Sequence, residues 1–465
     1  MRWDHIIKNG TLVTSDGEKR AHIYIKSGKI VAVTSEALEG QAEVITDATG
    51  KHVYPGFIDT HVHSRDPGTT YKEDFYHSTL AAAAGGITSV FEMPNTNPPI
   101  NTVENFNKQV KNLSSKANVN FAIWGICLGD LNLKELPALS KAGVIAFKFF
   151  WGYAVNRQTY QLVYNYSDDM QDVIPPFSDG EVHDMFAAVA RTGKLLAIHA
   201  ENNELIQTLT HKMIATGRTD YNALVEARPN LAEETTAQTG ISFAQDTGTH
   251  LHILHISSGG TVDQLLEAQQ KGITVTGETC PHYLFLNNED YEAIGTDMKV
   301  YPPVKYKKDQ ERLWQGLQDG TISWVCSDHA PHTPEEKAGD LWSIPAGMCG
   351  VETLAPLMIH AVSEGKLTKG QLAQVLAENP AKTFNLYPNK GSLEVGSDAD
   401  LTIVDFNQAF KIKREHLHSK SKVTAYDGFM TQGAPVQTIV NGHTVMKDGQ
   451  IIKTHSGQFF TATDH

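Results

Sequence analysis

The chain has 465 residues, of which 39 are basic and 53 acidic, so its formal net charge is −14 at pH 7. This length allows two or three domains, or one barrel with an accessory module. The acidity argues against a nucleic-acid or anionic-membrane partner, because Lys and Arg form no sizeable block.

The chain start and the cysteines bear on the compartment. The first ten residues lack the apolar run of a signal peptide, and no stretch reaches the about 18 apolar residues of a membrane span. The four cysteines are dispersed and form no CxxC pair, which disfavours a disulfide framework and a thiolate zinc site. We therefore expect a cytoplasmic protein without a membrane partner.

Both ends of the chain are predicted to form short strands. The β-rich runs near the start contain an Asn-Gly turn signal at residues 9–10, and those near the end contain another at 441–442. Because the ends of a domain tend to lie close together, residues 1–51 and 388–465 are predicted to form one small β-sandwich module.

The middle of the chain, residues 52–387, alternates short apolar runs with helical patterns. The apolar runs are VYPGFID, ITSVFEMP, NFAIWGICLG, VIAFKFFWG, KLLAIHAE, HLHILHISS, ITVTGETCPHY and ISWVCSDHAPH. This alternation predicts an α/β fold of the (β/α)8 TIM-barrel type, with an open doubly wound sheet as the alternative. We prefer the barrel because polar residues follow nearly every run, and barrel active sites are built at the carboxyl ends of the strands.

Histidines and one aspartate follow several of these predicted strands. His61 and His63 end the first run, where positions i and i+2 of a strand point to the same face and present two imidazoles to one metal ion. His199, His255 and Asp328 follow three further runs. A single such histidine is more often a core residue, but five side chains of this kind would each need a separate buried partner. Together they predict a metal centre.

Lys148 stands inside the apolar run VIAFKFFWG, where a lysine is rare without a special role. Four neutral imidazoles and one carboxylate do not neutralise two divalent ions, so a further anion is needed. Burial and nearby metal charge would depress the pKa of the Lys148 amine, and a neutral amine takes up carbon dioxide as an anionic carbamate. The alternative interpretation is a lysine that extends its amine to solvent or to a salt bridge.

Several motifs together point to one family. They are GFIDTHVHSRDPG, AAAAGGIT, MPNTNPP, ETCPHYLFL, SDHAPH and GSLEVGSDADLTIVD. With these motifs the chain resembles, essentially from end to end, the cyclic amidohydrolases of the dihydroorotase, allantoinase and hydantoinase group. The resemblance implies a hydrolase that opens a small cyclic amide, and a homodimer or homotetramer.

The resemblance also implies a centre of two divalent metal ions, usually zinc, with manganese, cobalt or iron as substitutes. The more buried ion is expected to bind His61, His63 and Asp328, and the second to bind His199 and His255. Lys148, carrying carbon dioxide as a carbamate, is expected to bridge the two ions. Asp328 is expected to take a proton from the attacking water and return it to the leaving ring nitrogen.

Residues expected to contact the substrate favour two different rings. Arg65, Asn95 and His332 match the positions at which dihydroorotases bind the substrate carboxylate, and a guanidinium suits that group because it binds it bidentately. Tyr153, five residues after Lys148, matches the tyrosine of hydantoinases whose phenol supports charge on the carbonyl oxygen.

The longer sequence resembles allantoinases and hydantoinases more closely, in stretches such as NFAIWG, FKFFWGYA and LLAIHAEN. We therefore prefer an allantoinase, which converts allantoin to allantoate, over a dihydroorotase or a hydantoinase (dihydropyrimidinase). A non-catalytic oligomeric scaffold is a further alternative, but it would be marked by lost metal ligands, and every expected ligand is present.

Overall fold

A computed structural model describes residues 2–163, 166 and 169–462. The strands are β1 (Arg2–Thr14), β2 (Gly17–Lys26), β3 (Lys29–Thr34), β4 (Gln41–Asp47), β5 (His52–Pro55), β6 (Phe57–Val62), β7 (Ile87–Glu92), β8 (Asn120–Ile123), β9 (Gly125–Ile126), β10 (Phe147–Phe150), β11 (Ala154–Asn156), β12 (Leu162–Val163), β13 (Val173–Ile174), β14 (Leu196–His199), β15 (Leu251–Ile253), β16 (Val275–Thr279), β17 (Trp324–Val325), β18 (Leu401–Lys411), β19 (Met430–Val440), β20 (His443–Lys447) and β21 (Gln450–Ile451).

The helices surround the middle strands. They are α1 (Phe75–Ala84), α2 (Val103–Ser114), α3 (Leu136–Ala142), α4 (Asp179–Ala190), α5 (Asn203–Ala215), α6 (Tyr221–Ala227), α7 (Asn230–Thr247), α8 (Gly259–Gln270), α9 (Pro281–Phe285), α10 (Tyr291–Ile294), α11 (Lys307–Gln318), α12 (Pro334–Lys337), α13 (Val351–Ser363), α14 (Lys369–Ala373) and α15 (Asn379–Thr383). In the described part of the chain, none of them has the length and apolar character needed to cross a bilayer.

Both chain ends join in one nine-stranded sheet, as predicted. Its order is β21-β20-β19-β18-β5-β1-β2-β3, and β4 pairs with β1. Alternating positions of β2 bury Ile23 and Ile25 in an apolar cluster that also contains Leu401 and Ile439 from the other end of the chain. This shared cluster explains why the two distant segments form one module.

Eight parallel strands of the described residues form the predicted barrel. Two sheets contribute, β6-β7-β8 and β9-β10-β14-β15-β16-β17, and β8 and β9, separated by one residue, count as one barrel strand. Ile145 N donates to Ile123 O at 2.9 Å where the sheets meet, and Val62 pairs with His329 where the ring closes. Residues that follow the strands therefore converge at one end of the barrel.

The run VYPGFID is two strands rather than one. β5 pairs with β1 and β18 in the end sheet, whereas β6 begins the barrel. Between them, a Cβ atom on Gly56 would lie 2.2 Å from Thr88 Oγ1 and 2.9 Å from the carbonyl carbon of Asp400. Only glycine fits this contact, and residues 52–55 belong to the end sheet rather than to the barrel range predicted for them.

The last described residues also differ from the prediction, because they leave the end sheet and pack on the barrel. Phe121 N in β8 donates to Gln458 O at 3.0 Å, and Phe460 N donates to Phe121 O at 3.0 Å. The ring of Phe459 lies 5.5 Å from that of Phe121. The tail thus ties the end module to the base of the barrel.

A buried ion pair strengthens the same junction. Lys390 Nζ donates to Asp400 Oδ2 at 2.7 Å and to Asp398 Oδ2 at 3.2 Å. Asp400 also accepts hydrogen bonds from Asn120 Nδ2 in β8 and from the backbone N–H of Asn441. The Asp400 carboxylate therefore joins strand β8 of the barrel to the turn between β19 and β20.

We expect Asp400→Asn to lower the free energy of unfolding by about 2–4 kcal/mol, because it removes the closer of two countercharges from the buried ammonium of Lys390. The matched control is Glu104→Gln, which breaks the exposed pair between Glu104 and Lys108 and should leave stability essentially unchanged. Chemical denaturation measures both. Equal, small effects would show that the buried pair does not stabilise the junction.

Candidate metal centre and active site

The six side chains expected to bind metal lie together at the carboxyl end of the barrel. Most are nearly inaccessible to solvent, with exposed fractions of 0% to 9% for the four histidines and 1% for Lys148. They are His61 on β6, His63 directly after β6, Lys148 on β10, His199 at the end of β14, His255 after β15, and Asp328 after β17.

The first group surrounds His61. His61 Nε2 lies 3.0 Å from Lys148 Nζ and 3.3 Å from Asp328 Oδ1. His63 Nε2 lies 3.7 Å from the same carboxylate oxygen. One atom from each of His61, His63 and Asp328 falls within a span of 4.8 Å, which is the arrangement of a candidate cation site.

The second group lies beside the first. His199 Nδ1 and His255 Nε2 are 3.0 Å apart, and the rings of His61 and His255 have centroids 5.4 Å apart. The two imidazole nitrogens face each other at this distance, so His199 and His255 are suited to bind one cation together.

The protonation of these groups favours metal binding. Burial lowers the pKa of His63, His199 and His255 below the usual imidazole value, which keeps the rings neutral. Burial also lowers the pKa of Lys148 to about 8, although Asp328 and Glu278 oppose the shift. Neutral imidazoles, a carboxylate and a partly neutral amine fit two divalent cations and a carbamate on Lys148.

Acceptors behind three of the imidazoles set their orientation. His61 Nδ1 lies 2.8 Å from Glu278 Oε1, His199 Nε2 lies 3.0 Å from Glu201 Oε2, and His63 Nδ1 lies 2.8 Å from Asn95 Oδ1. Each acceptor holds the proton on the far ring nitrogen, so the lone pair of the other nitrogen faces the site. Asn95, predicted to bind the substrate, thus also orients a candidate ligand.

Glu278 was not predicted from the sequence as a site residue, and its buried carboxylate accepts several hydrogen bonds. Besides His61, it accepts hydrogen bonds from Thr60 Oγ1 at 2.9 Å and from Trp324 Nε1 at 2.8 Å. Burial alone would raise the pKa of Glu278, but its hydrogen bonds with His252 and His61 hold the pKa well below its usual range. The carboxylate is therefore a permanent buried anion beneath the site.

Glu201 was also not predicted as a site residue, although it lies two positions after His199, the spacing at which side chains of an extended chain point to the same face. It is ion-paired with Arg228, whose guanidinium carbon lies 3.6 Å above the centre of the Tyr301 ring. Burial would raise the pKa of Glu201, but the charge of Arg228 and the bond with His199 bring it down to about 2. Glu201 is thus a second buried anion behind the imidazoles.

Three site residues have left-handed backbone conformations, which are unfavourable for side chains with a Cβ. The φ angles are 63° at Arg65, 36° at His255 and 46° at Asp328. Around Asp328, His329 N donates to His61 O at 3.2 Å and His63 N donates to His329 O at 2.8 Å. These bonds to β6 hold the strained turn and aim Asp328 at the histidines.

A cavity of about 610 Å³ opens over this centre. Its walls include the remaining predicted residues, namely Arg65, Asn95, Tyr153 and His332. The Tyr153 ring lies 5.3 Å from that of His199. Arg65 Nε donates to Pro331 O at 3.3 Å. The cavity therefore places a phenol and a guanidinium around the candidate cation sites.

His332 lines this cavity, but both of its ring nitrogens face protein groups. Nε2 lies 3.0 Å from Ala346 O, while Nδ1 lies 3.3 Å from Lys72 Nζ and 3.2 Å from Glu336 Oε2. Burial and the charges of Arg65 and Lys72 lower the pKa of His332 to about 3. The ring is therefore neutral and donates to the carbonyl oxygen of Ala346.

Comparison with known proteins extends these observations to the whole chain. The sequence profile of the amidohydrolase family matches residues 52–445. The chain is 36% identical over 461 residues to a protein of Deinococcus radiodurans named allantoinase, with 98% of each chain covered. It is 34% identical over 450 residues to a protein of Bacillus cytotoxicus named dihydroorotase, with 95% of this chain and 98% of that one covered. Its structure is similar to that of the L-hydantoinase (dihydropyrimidinase) from Arthrobacter aurescens, with a TM-score of 0.92, 35% identity, and 99% of this chain and 100% of that chain covered.

The buried anion Glu278 gives a test of the site. We expect Glu278→Gln to weaken divalent-metal binding by about 10–100-fold, because an amide cannot accept from His61, Thr60 and Trp324 at once. Metal content after dialysis against graded chelator measures this.

The matched control is Glu378→Gln. Glu378 is a buried carboxylate that accepts from the backbone and hydroxyl of Ser15, away from the candidate site. Its substitution should leave metal content unchanged, and equal metal content in both variants would contradict the role given to Glu278.

Proposed function

The chain belongs to the amidohydrolase family, and we propose that it hydrolyses the ring amide of a small cyclic ureide, with allantoin as substrate and allantoate as product. The observation that carries the reaction class is the convergence of imidazoles, Lys148 and Asp328 beneath one cavity. The preference for allantoin is supported by the similarity to proteins named allantoinase over nearly the whole chain. We propose a cytoplasmic enzyme, as expected from the sequence, and a homodimer or homotetramer, as implied by the family resemblance.

We propose that one cation binds His61, His63 and Asp328, that a second binds His199 and His255, and that carboxylated Lys148 bridges them. When bound, the two cations supply Lewis-acid polarisation of the ring carbonyl and acidify water. Zinc is the proposed metal, and the oxygen and nitrogen donors also accept manganese, cobalt or iron.

The protein groups then have distinct tasks in ring opening. The Asp328 carboxylate takes a proton from the water that adds to the carbonyl carbon, and it returns this proton to the ring nitrogen as the C–N bond breaks. The phenol of Tyr153, on the His199 side of the cavity, donates a hydrogen bond to the carbonyl oxygen as that oxygen gains charge. No side chain needs to act as a nucleophile.

Arg65 favours a second candidate substrate, dihydroorotate, which carries a carboxylate. Its guanidinium lines the cavity and donates a hydrogen bond to Pro331 O, and in the described residues it forms no ion pair with a carboxylate of the protein. A guanidinium without a carboxylate partner is suited to bind the carboxylate of a ligand bidentately.

A substrate panel separates these candidates. We expect the zinc-loaded protein to show its highest kcat/KM on allantoin, compared with dihydroorotate, hydantoin and dihydrouracil. Arg65→Met should leave kcat/KM on allantoin within about threefold, because no charge on that substrate needs the guanidinium. Higher efficiency on dihydroorotate that Arg65→Met abolishes would replace allantoin by dihydroorotate.

The bridging role of Lys148 has its own test. We expect Lys148→Met, which keeps most of the side-chain volume, to lower metal content and to reduce kcat/KM by more than about 100-fold, because the carbamate oxygens are lost. Elemental analysis and turnover are measured on the same preparation. Full metal content with full activity would exclude a bridging carbamate.

A further inference from the structure

Two lysines behind one wall of the cavity are buried without an ion-pair partner among the described residues. Lys299 and Lys337 are 1% and 2% exposed. Lys299 Nζ donates to Leu341 O at 2.7 Å and to Ile344 O at 2.5 Å. These acceptors are neutral backbone carbonyl oxygens, which is an unusual environment for a buried cation.

Lys337 completes the arrangement. Its Nζ donates to Lys299 O at 3.0 Å, to Pro345 O at 3.2 Å and to Gly347 O at 3.1 Å. All three protons of the ammonium group are therefore used. Because Gly347 N also donates to Lys299 O at 2.9 Å, the two lysines and the segment 341–347 form one interlocked unit.

The segment 341–347 is a wall of the cavity that contains the candidate cation sites, and residues 342–347 line it. It contains turns but no helix or strand, so its shape depends on hydrogen bonds from outside the segment. A Cβ on Gly347 would lie 2.3 Å from Ala330 O. The wall therefore packs directly against the turn that carries Asp328.

The burial of these two cations is costly. Burial lowers the pKa of Lys299 to about 8 and that of Lys337 to about 7, against the opposing charges of Asp340 and Asp297 respectively. Apolar side chains of similar volume often stabilise a fold as well as or better than buried charges do. The arrangement is therefore poorly explained by stability alone, and it is well suited to directing backbone carbonyls away from the cavity.

We propose that Lys299 and Lys337 are positioning residues whose ammonium groups hold the wall 341–347 in the shape that receives the ring substrate. Neither lysine reaches the reacting atoms in this proposal. They act through the backbone of the wall, and their loss should weaken substrate binding more than it slows the chemical step.

The test is Lys337→Met, which keeps the side-chain volume and removes all three donors. Amide hydrogen exchange of peptides covering 341–347 should accelerate by at least about tenfold, because the wall opens more often. With the panel substrate that the wild type turns over, KM should rise by at least about tenfold while kcat and metal content change by less than about threefold.

The kinetic arm rests on the proposed function, whereas the exchange arm does not. If the wild type opened no ring of the panel, the proposed function would fail and hydrogen exchange would still decide the role of the lysines. Unchanged exchange and unchanged KM in Lys337→Met would overturn the proposal, as would an equal loss in kcat and metal content.

The matched control is Lys390→Met, a buried lysine that is ion-paired in the end module. It should lower stability but leave both KM and the exchange of 341–347 unchanged, which separates positioning from general loosening of the fold. Should Lys337→Met not fold, Lys299→Met, which removes only two of the five bonds to carbonyl oxygens, decides the question by the same measurements.

Discussion

The hydrogen bond between His61 and Glu278 is the constraint on which the rest of the site depends. His61 Nδ1 donates its proton to the Glu278 carboxylate, so the lone pair of Nε2 points towards Lys148 and Asp328. Glu278 is in turn held by Thr60 and Trp324 from two neighbouring strands. The orientation of the first imidazole is thus set by the barrel interior, before any ligand is bound.

Above the barrel interior, the site is built in layers from three kinds of backbone, which become less regular with distance from the strands. Strands carry His61 and His199, strained turns carry His255 and Asp328, and a segment without helix or strand forms the outer wall. Each layer needs polar partners from the one beneath, since buried polar groups without partners are costly. The carboxylates Glu278 and Glu201 serve the first layer, and the ammonium groups of Lys299 and Lys337 serve the last.

Much of this arrangement is predictable from local pattern, because barrel strands are short apolar runs and their following residues share one end of the fold. What local pattern lacks is information on contacts between distant segments. The run VYPGFID reads as one strand, because the need for Gly56 appears only where Thr88 and Asp400 approach it. In the sequence, Glu278 and Lys337 look like ordinary charged residues, because the hydrogen-bond partners that distinguish them are visible only in the folded structure.

The charge of the cavity wall bears on the reaction whichever ring is opened. Hydrolysis of any ring amide creates a carboxylate, so negative charge develops inside the cavity even when the substrate is neutral. Arg65 and Lys72 line the cavity. This local positive charge attracts the carboxylate of the product after the ring has opened, whereas the net charge of −14 on the whole chain repels the product once it reaches the surface. A cationic wall is therefore compatible with a neutral ring such as allantoin as well as with an anionic one, and the capacity of a guanidinium to bind a substrate carboxylate bidentately, rather than the sign of the field, is what distinguishes them.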